Sequence, residues 1–571
     1  MERLEAKRIN GKTYYYYSEW GWVDGKCRRV WQKYLGRLED IVAAVTGAND
    51  PTSAEVFEFG LAAALWREAE RQDVTAILDK ACPERRQGLS TGQYFTLAAV
   101  NRGVDPVSKR GMWEWFEATA LRRLLPTASR AALDSRRFWD RMGDMPEAMM
   151  RKAWAELVGG AVAREGVDLS KVCYDGTNFY TFINTFNTAP ALAKRGKNKQ
   201  GRGNLRQVNY ALFCAGSIPL YYEVYEGNLN DVSKFPAALA HFKQFLSGLG
   251  SAGASAAPRV TLVFDKGNNS KDNFAKLDAS GLDYVASLKA GEAGEVADVP
   301  AADPRFAACE GLEGVKAFQI RLQLYGKERN VVVCHNQRFF ETQMKTLALD
   351  IERAVAELGE IRQNLKDRAD GNIKGGRAPT AESVRKRCDE ALKRQYLSDI
   401  IKVEITPGPP LALDFSVISG QLDHVASQRL GRKVLMTTHD DWDCRKTIEA
   451  YHGQYVIEHI FRGMKGEHGT WWPLYHWTDQ KIHAHGLYCS IAVLLRALAH
   501  RRAAQAGVKI PFERFLDELL AIKEVVAVFP GRKKRESERQ HTVLTRLNEI
   551  QGKLVKALEL ETCLRVNANK K

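Results

Sequence analysis

The stretch KVCYDGTNFYTFI (Lys171–Ile183) runs apolar through Val172–Tyr174 and then meets a carboxylate, Asp175, and a glycine. β-Branched and aromatic residues mark it as a strand. By itself a strand-terminal aspartate means little, because such residues commonly cap a turn or a helix. A second stretch, RVTLVFDKG (Arg259–Gly267), repeats the pattern: Val260–Phe264 is apolar, Asp265 follows, and a glycine stands two residues on. A glycine there lets backbone come close to a ligand.

Between and around these strands the order is regular. A loop, KRGKNKQGRGNLRQ (Lys194–Gln207), carries Lys194, Arg195, Lys197, Lys199, Arg202 and Arg206 and no acid. VNYALFCAG and IPLYYEVYEG are strands joined at Gly216-Ser217, a hairpin signal. VSKFPAALAHFKQFLSGLG is a helix, SKDNFAKLDASG another, and LDYVASLKAG a strand. The resulting order is βββαβαβ, that of an α/β ribonuclease H-like core: a mixed sheet with helices on both faces. Asp175 and Asp265 then fall on neighbouring central strands, and ligand sites in such sheets lie outside the carboxyl ends of strands.

The chain has 571 residues, too many for one core, and the formal net charge is +15. A basic chain attracts polyanions such as nucleic acid. The N-terminus MERLEAKRIN has no apolar core of a secretory signal, and the apolar run Gly486–Ala499 is too short to span a bilayer and carries Arg496. The expectation is a cytoplasmic bacterial protein, nucleoid-associated, with no membrane partner. Ten scattered cysteines show neither zinc spacing nor a disulfide framework.

Six regions are expected. Residues 1–50 form a β-stranded basic and aromatic segment with turns at Asn10-Gly11 and Asp24-Gly25, and residues 51–165 a helical DNA-binding domain. Residues 166–290 are the first part of the core, 291–440 an inserted β-rich subdomain with helices, and 441–505 the second part of the core. Residues 506–571 form a C-terminal helical region with a possible role in dimerisation and a basic stretch, GRKKRESERQ.

A third carboxylate comes from AYHGQYVIEHIFRGMKG (Ala450–Gly466). As one helix at about 100° per residue, it gathers Tyr451, Gln454, Glu458, Arg462 and Lys465 within about 80° of arc, with Val456, Ile457, Ile460, Phe461 and Met464 opposite. Two or three convergent carboxylates suffice for magnesium, which prefers oxygen ligands. Cations beside them would meet a phosphate, although a solvated helix face has the same composition.

These segments together resemble a bacterial insertion-sequence DDE transposase, and more narrowly the insertion-sequence-four superfamily with its Tyr–Arg–Glu–Lys signature (Y-x2-R-x3-E-x6-K). Tyr451, Gln454, Glu458 and Lys465 keep the spacing, with glutamine in place of the arginine. CYDGTNFY, LVFDKGNNSKDN, EGNLNDVSKF and YHWTDQKIHAHGLYCSIAVLLRAL are similar to family segments too. The resemblance implies a metal-binding catalytic triad of Asp175, Asp265 and Glu458 holding two Mg²⁺ or Mn²⁺ ions. Tyr451 and Lys465 would hold DNA phosphates. Gln454 is a DNA-contact candidate at the position where the family has its arginine, and Arg462, one turn beyond Glu458, either supplies the missing cation or is an ordinary surface arginine. Lys266 and the loop Lys194, Arg195, Lys197, Lys199 and Arg202 are further DNA-contact candidates; a solvated hairpin tip is the other reading of the loop.

The implied activity is cut-and-paste transposition. A homodimer would bind double-stranded terminal inverted repeats, hydrolyse a strand at each end, and join the 3′-hydroxyl to target DNA. Two alternatives stay open: a ribonuclease H-like nuclease or resolvase without strand transfer, and an inactive transposase-derived DNA-binding regulator.

Overall fold

The computed structural model describes residues 2–23, 26–45, 50–82, 88–184, 186–198, 200–250, 259–466, 469–529 and 538–564. They form two compact units, Met1–Asp144 with Leu495–Lys571, and Met145–Leu494. Lys199, the Asp24-Gly25 turn and most of the GRKKRESERQ stretch lie outside the described residues.

The first unit begins with strands β1 (Glu2–Ile9), β2 (Lys12–Val23) and β3 (Lys26–Gly36), an antiparallel sheet in the order β1-β2-β3. Asn10 and Gly11 both take positive φ, 49° and 77°. That is the two-residue turn whose twist matches the strands it joins. Strand β4 (Ser53–Glu58) leads into the helices Gly60–Arg71, Val74–Lys80 and Thr91–Val104. The last of these starts on a Ser90–Gln93 capping box, which satisfies two orphan backbone donors. The Glu147–Glu165 helix, expected within the 51–165 domain, belongs instead to the second unit, where Trp154 Nε1 donates to the Leu220 carbonyl at 3.0 Å.

The second unit is built on β5 (Lys171–Tyr180), β6 (Gln207–Ala215), β7 (Ile218–Glu226), β8 (Thr261–Phe264) and β9 (Asp283–Ser287). They lie in the order β9-β8-β5-β6-β7. β5 runs parallel to β8, and β8 to β9, while β6 and β7 are antiparallel. Helices Asp231–Gly250 and Lys271–Ser280 fall between β7 and β8 and between β8 and β9. This large mixed sheet is compatible with a ribonuclease H-like core.

The 291–440 region is divided in two. Strands β10 (Ala307–Ala308), β11 (Val315–Leu324) and β12 (Lys327–Asn336) continue the core sheet through β15 (Arg432–Thr437), which pairs antiparallel with β9. The sheet therefore has nine strands. The remainder stands apart: the Gln337–Ala369 and Ala381–Ala391 helices and the hairpin of β13 (Ile401–Thr406) and β14 (Ala412–Val417) enclose their own core of Leu358, Ile361, Val384, Leu397 and Ile400.

The chain then returns to the first unit. β16 (Lys523–Phe529) pairs with β4 and with β17 (Arg539–Leu544), so the expected helical C-terminal region carries strands. The alternation in KEVVAVF, with Glu524, Val526 and Val528 buried, is the period-two signal that the helical reading passed over. The apolar run Gly486–Ala499 lies in a 27-residue helix, Asp479–Gln505, long and apolar enough to cross a membrane, but 89% of its most apolar window is buried in the fold.

One ion pair ties the late strand to the early helices. Arg123 meets the fully buried Glu524 through Nε at 3.0 Å and Nη2 at 2.7 Å, and donates from Nη1 to the Cys563 carbonyl at 2.8 Å. Removing Arg123 leaves the buried Glu524 carboxylate, among the described residues, with only Arg122 Nη2, at 3.8 Å. Arg123→Met is expected to cost about 3–5 kcal/mol, read as a lowered urea midpoint for the first unit.

Candidate active site

The site grows from the register of two parallel strands. Tyr174 on β5 pairs with Phe264 on β8, so Asp175 and Asp265 are each the next residue along. Strand spacing of about 4.8 Å then sets the two carboxylates side by side. Phe264 also pairs with Ala286 on β9, which brings Ser287 beside Asp265 on its other flank.

Alternation fixes which face they take. Tyr174 packs on Phe213 and Phe235, and Phe264 on Phe235 and Phe274, all on one side of the sheet. Asp175 and Asp265 therefore face the other side. On that side Cys173 lies against Gly453, and Thr177 accepts a hydrogen bond from Lys465 Nζ. Asp175 stands between those two contacts.

The single helix expected over 450–466 is two helices, Cys444–His452 and Gln454–Lys465, with Gly453 at the break. A Cβ on Gly453 would sit 3.1 Å from Cys173 Sγ and 3.1 Å from the Ala450 carbonyl, so glycine allows the close approach. The break separates Tyr451 from the rest of the stripe, and Tyr451 is turned inward. Tyr451 is 6% exposed and donates to Asp265 Oδ1 at 3.0 Å; Ser287 Oγ donates to the same oxygen at 2.5 Å. Burial works to raise the Asp265 pKa. The bonds from Ser287, the Lys266 backbone and Tyr451 outweigh it, and the carboxyl is held below its ordinary value. Burial, then the charge of Asp265, push the Tyr451 phenol up, and Glu458 adds to that push.

Gln454 is likewise not a surface residue. It is 3% exposed, and its Nε2 donates to the Tyr174 carbonyl at 3.0 Å, pinning the helix to β5 one residue before Asp175. Tyr451 and Gln454, expected among the phosphate-gripping residues, thus spend their polar groups on the sheet. Glu458 lies about 40° round the helix from Gln454 and about 20° from Lys465, both anchored on β5. It is roughly 6 Å along the helix axis from the Gln454 anchor. Glu458 and Arg462 are exposed, and Lys465 is half-buried with its ammonium 5.5 Å from the Phe179 ring centre.

The cation candidates are exposed at Lys266, Lys194, Arg195, Lys197 and Arg202. The basic loop is tied to the sheet. Lys194 bridges to Gln207, and Asn178 Nδ2 on β5 donates to the Lys197 carbonyl at 3.1 Å. Asn230 caps the Asp231–Gly250 helix by accepting from Ser233 N at 2.9 Å. Asp231 lies on the far face of the sheet, where a Cβ on Gly176 would come within 2.8 Å of its carboxylate. Ser287 and Thr177 are the partners that sequence reading missed. Each sits one register step or one alternation from a named candidate, a relation visible only once strands are paired.

Oxygen donors on two adjacent strand ends suit a hard divalent cation. Among the described residues no three His, Cys, Asp or Glu side chains yet gather closely enough to hold one. The fit rests on the aspartate pair; Glu458 is exposed on the helix that Gln454 and Lys465 fasten to β5.

No protein-family model matches the chain, and no curated protein matches it. Among solved structures it is similar to a Mos1 transposase paired-end complex with left transposon end, at 11% identity and a TM-score of 0.15, over 35% of this chain and 60% of that one. A likeness that faint and partial carries no argument, and the site must be judged on its own geometry.

The Tyr451–Asp265 contact is measurable. A double-mutant cycle of Tyr451→Phe and Asp265→Ala is expected to give a coupling of about 1.5–3 kcal/mol in urea unfolding, the worth of a hydrogen bond to a charged acceptor.

Proposed function

We propose that this chain is a DNA transposase of the DDE type, with a ribonuclease H-like core and a triad of Asp175, Asp265 and Glu458. The observation that carries the reading is the Tyr174–Phe264 pairing, which sets two aspartates at adjacent strand ends facing the helix of Glu458.

Asp175 and Asp265 would hold divalent cations, with Glu458 closing the set from the helix. Bound Mg²⁺ or Mn²⁺ would supply an activated water or 3′-hydroxyl and stabilise the leaving oxygen. The protein's own part is placement. Ser287 and Tyr451 fix one oxygen of Asp265 and so the plane of its carboxylate. Lys465, steadied by Thr177, and the exposed Arg462 offer positive charge to the phosphate being cut, where charge develops in phosphoryl transfer. Lys266 and the 194–202 loop add contacts to the DNA backbone, which position without reading sequence. Transposon ends and target would be duplex DNA. Cutting two ends in register would require two protomers.

The test incubates purified protein with a labelled terminal inverted repeat, a target plasmid and Mg²⁺. End-specific nicking and joining are expected. Asp175→Asn, Asp265→Asn and Glu458→Gln should each lower both by about 10³-fold or more while DNA binding persists. Nicking without joining would make the chain a nuclease; binding without either would make it a regulator. Three variants that all still cut would remove the triad.

A further inference from the structure

The β1-β2-β3 sheet has two unlike faces. Residues that pair across strands share a face, so Arg3, Glu5 and Lys7 lie with Tyr14, Tyr16 and Ser18, and these with Gln32 and Tyr34. On this side the charges are spent on one another. Glu5 accepts from Trp20 Nε1 at 2.6 Å and from Arg3 Nε at 3.1 Å, and pairs with Arg29 at 3.7 Å. Arg3 and Arg29 lie over the Trp20 ring, Lys7 over Tyr16, and Ser18 is fully buried. It is a small core made of rings and cation stems.

The opposite face is built differently. Its central strand, β2, presents Thr13, Tyr15 and Tyr17, with Trp31 beside them on β3. Its outer strands present Arg8 on β1 and Lys26, Arg28 and Lys33 on β3. All four cations are exposed, and none has an ion-pair partner among the described residues. Two acids share the face, and one of them, Glu2, is engaged by the Tyr17 hydroxyl at 2.6 Å. Trp31 is 41% exposed and Leu4 58% exposed.

Unpaired cations on the two flanking strands and phenols on the middle one match a groove with phosphate walls and a floor of base edges. The outer strands of a three-stranded sheet are about 10 Å apart. The major groove of B-form DNA is about 12 Å wide and admits a two-stranded β-ribbon, so a three-stranded sheet lies over it with its outer strands toward the phosphate walls, whereas the A-form major groove of RNA is too narrow and deep for side chains to read.

We propose that the β1-β2-β3 sheet is a duplex-DNA-binding surface: its Tyr15–Tyr17–Trp31 face lies over the major groove while Arg8, Lys26, Arg28 and Lys33 contact the flanking phosphates. This contact rests on the transposase reading above for its choice of polyanion, but it is tested without cleavage. Full-length protein is titrated with a fluorescent DNA duplex at several salt concentrations, and log K is plotted against log salt. The Arg8→Gln, Arg28→Gln, Lys33→Gln triple variant should lose about 2–3 units of slope, near 0.9 per phosphate contact removed. Lys7→Gln with Lys12→Gln, on the other face, should lose less than one. The charge-keeping variant Arg8→Lys, Arg28→Lys, Lys33→Arg should restore the slope, which separates lost contact from lost folding. An unchanged slope in the triple variant overturns the surface and leaves the triad untouched, because no cutting is read. An equal or larger loss on duplex RNA or on phosphatidylserine vesicles overturns the choice of DNA.

Discussion

The second unit turns on one contact: the parallel pairing of β5 with β8. Both strands are buried on both faces over Val172–Tyr174 and Leu262–Phe264. Such strands are held in register by packing, since a one-residue slip would drive every side chain to the wrong face. The pair that fixes it, Tyr174 and Phe264, closes on the shared ring of Phe235. The same register that satisfies these aromatics puts Asp175 and Asp265 next to each other on the opposite face. The carboxylate pair is thus a consequence of the core on the other side of the sheet.

The helix of Glu458 is coupled to that pairing at both ends. Gln454 binds the Tyr174 carbonyl and Lys465 binds Thr177, so the helix runs beside β5 from one side of Asp175 to the other. Gly453 allows the start of the helix to settle against Cys173. Tyr451, on the preceding helix, donates to Asp265. A residue expected to grip DNA therefore orients a carboxylate, and a glutamine standing where an arginine was expected serves as a pin. A guanidinium would be costly at a position so buried unless its charge were paired.

Much of this was legible in the sequence. Apolar runs ending in Asp175 and Asp265, and the βββαβαβ order around them, follow from alternation and turn residues that act locally. The polar stripe at Glu458 was visible too, but not which of its members face the sheet. That depends on Gly453, whose effect arises from contact with Cys173, far away in sequence. The extension of the sheet by β10, β11, β12 and β15 was hidden for the same reason. The hairpin of β11 and β12 and the strand β15 were readable, but the pairing of β15 with β12 and β9 was not. The strand character of Lys523–Phe529 lay in plain alternation, and its pairing with Ser53–Glu58 joins segments that only the folded chain brings together.

The central claim is that Asp175, Asp265 and Glu458 converge on a divalent cation. Iron-directed backbone cleavage tests it most directly. Fe²⁺ is loaded in place of Mg²⁺, ascorbate and peroxide are added, and the cut sites are read by mass spectrometry. The account predicts cuts confined to three places, the ends of β5 and β8 and the middle of the Gln454–Lys465 helix, all suppressed by excess Mg²⁺. Cuts at one of these places without the others, or a pattern that excess Mg²⁺ does not suppress, would contradict it.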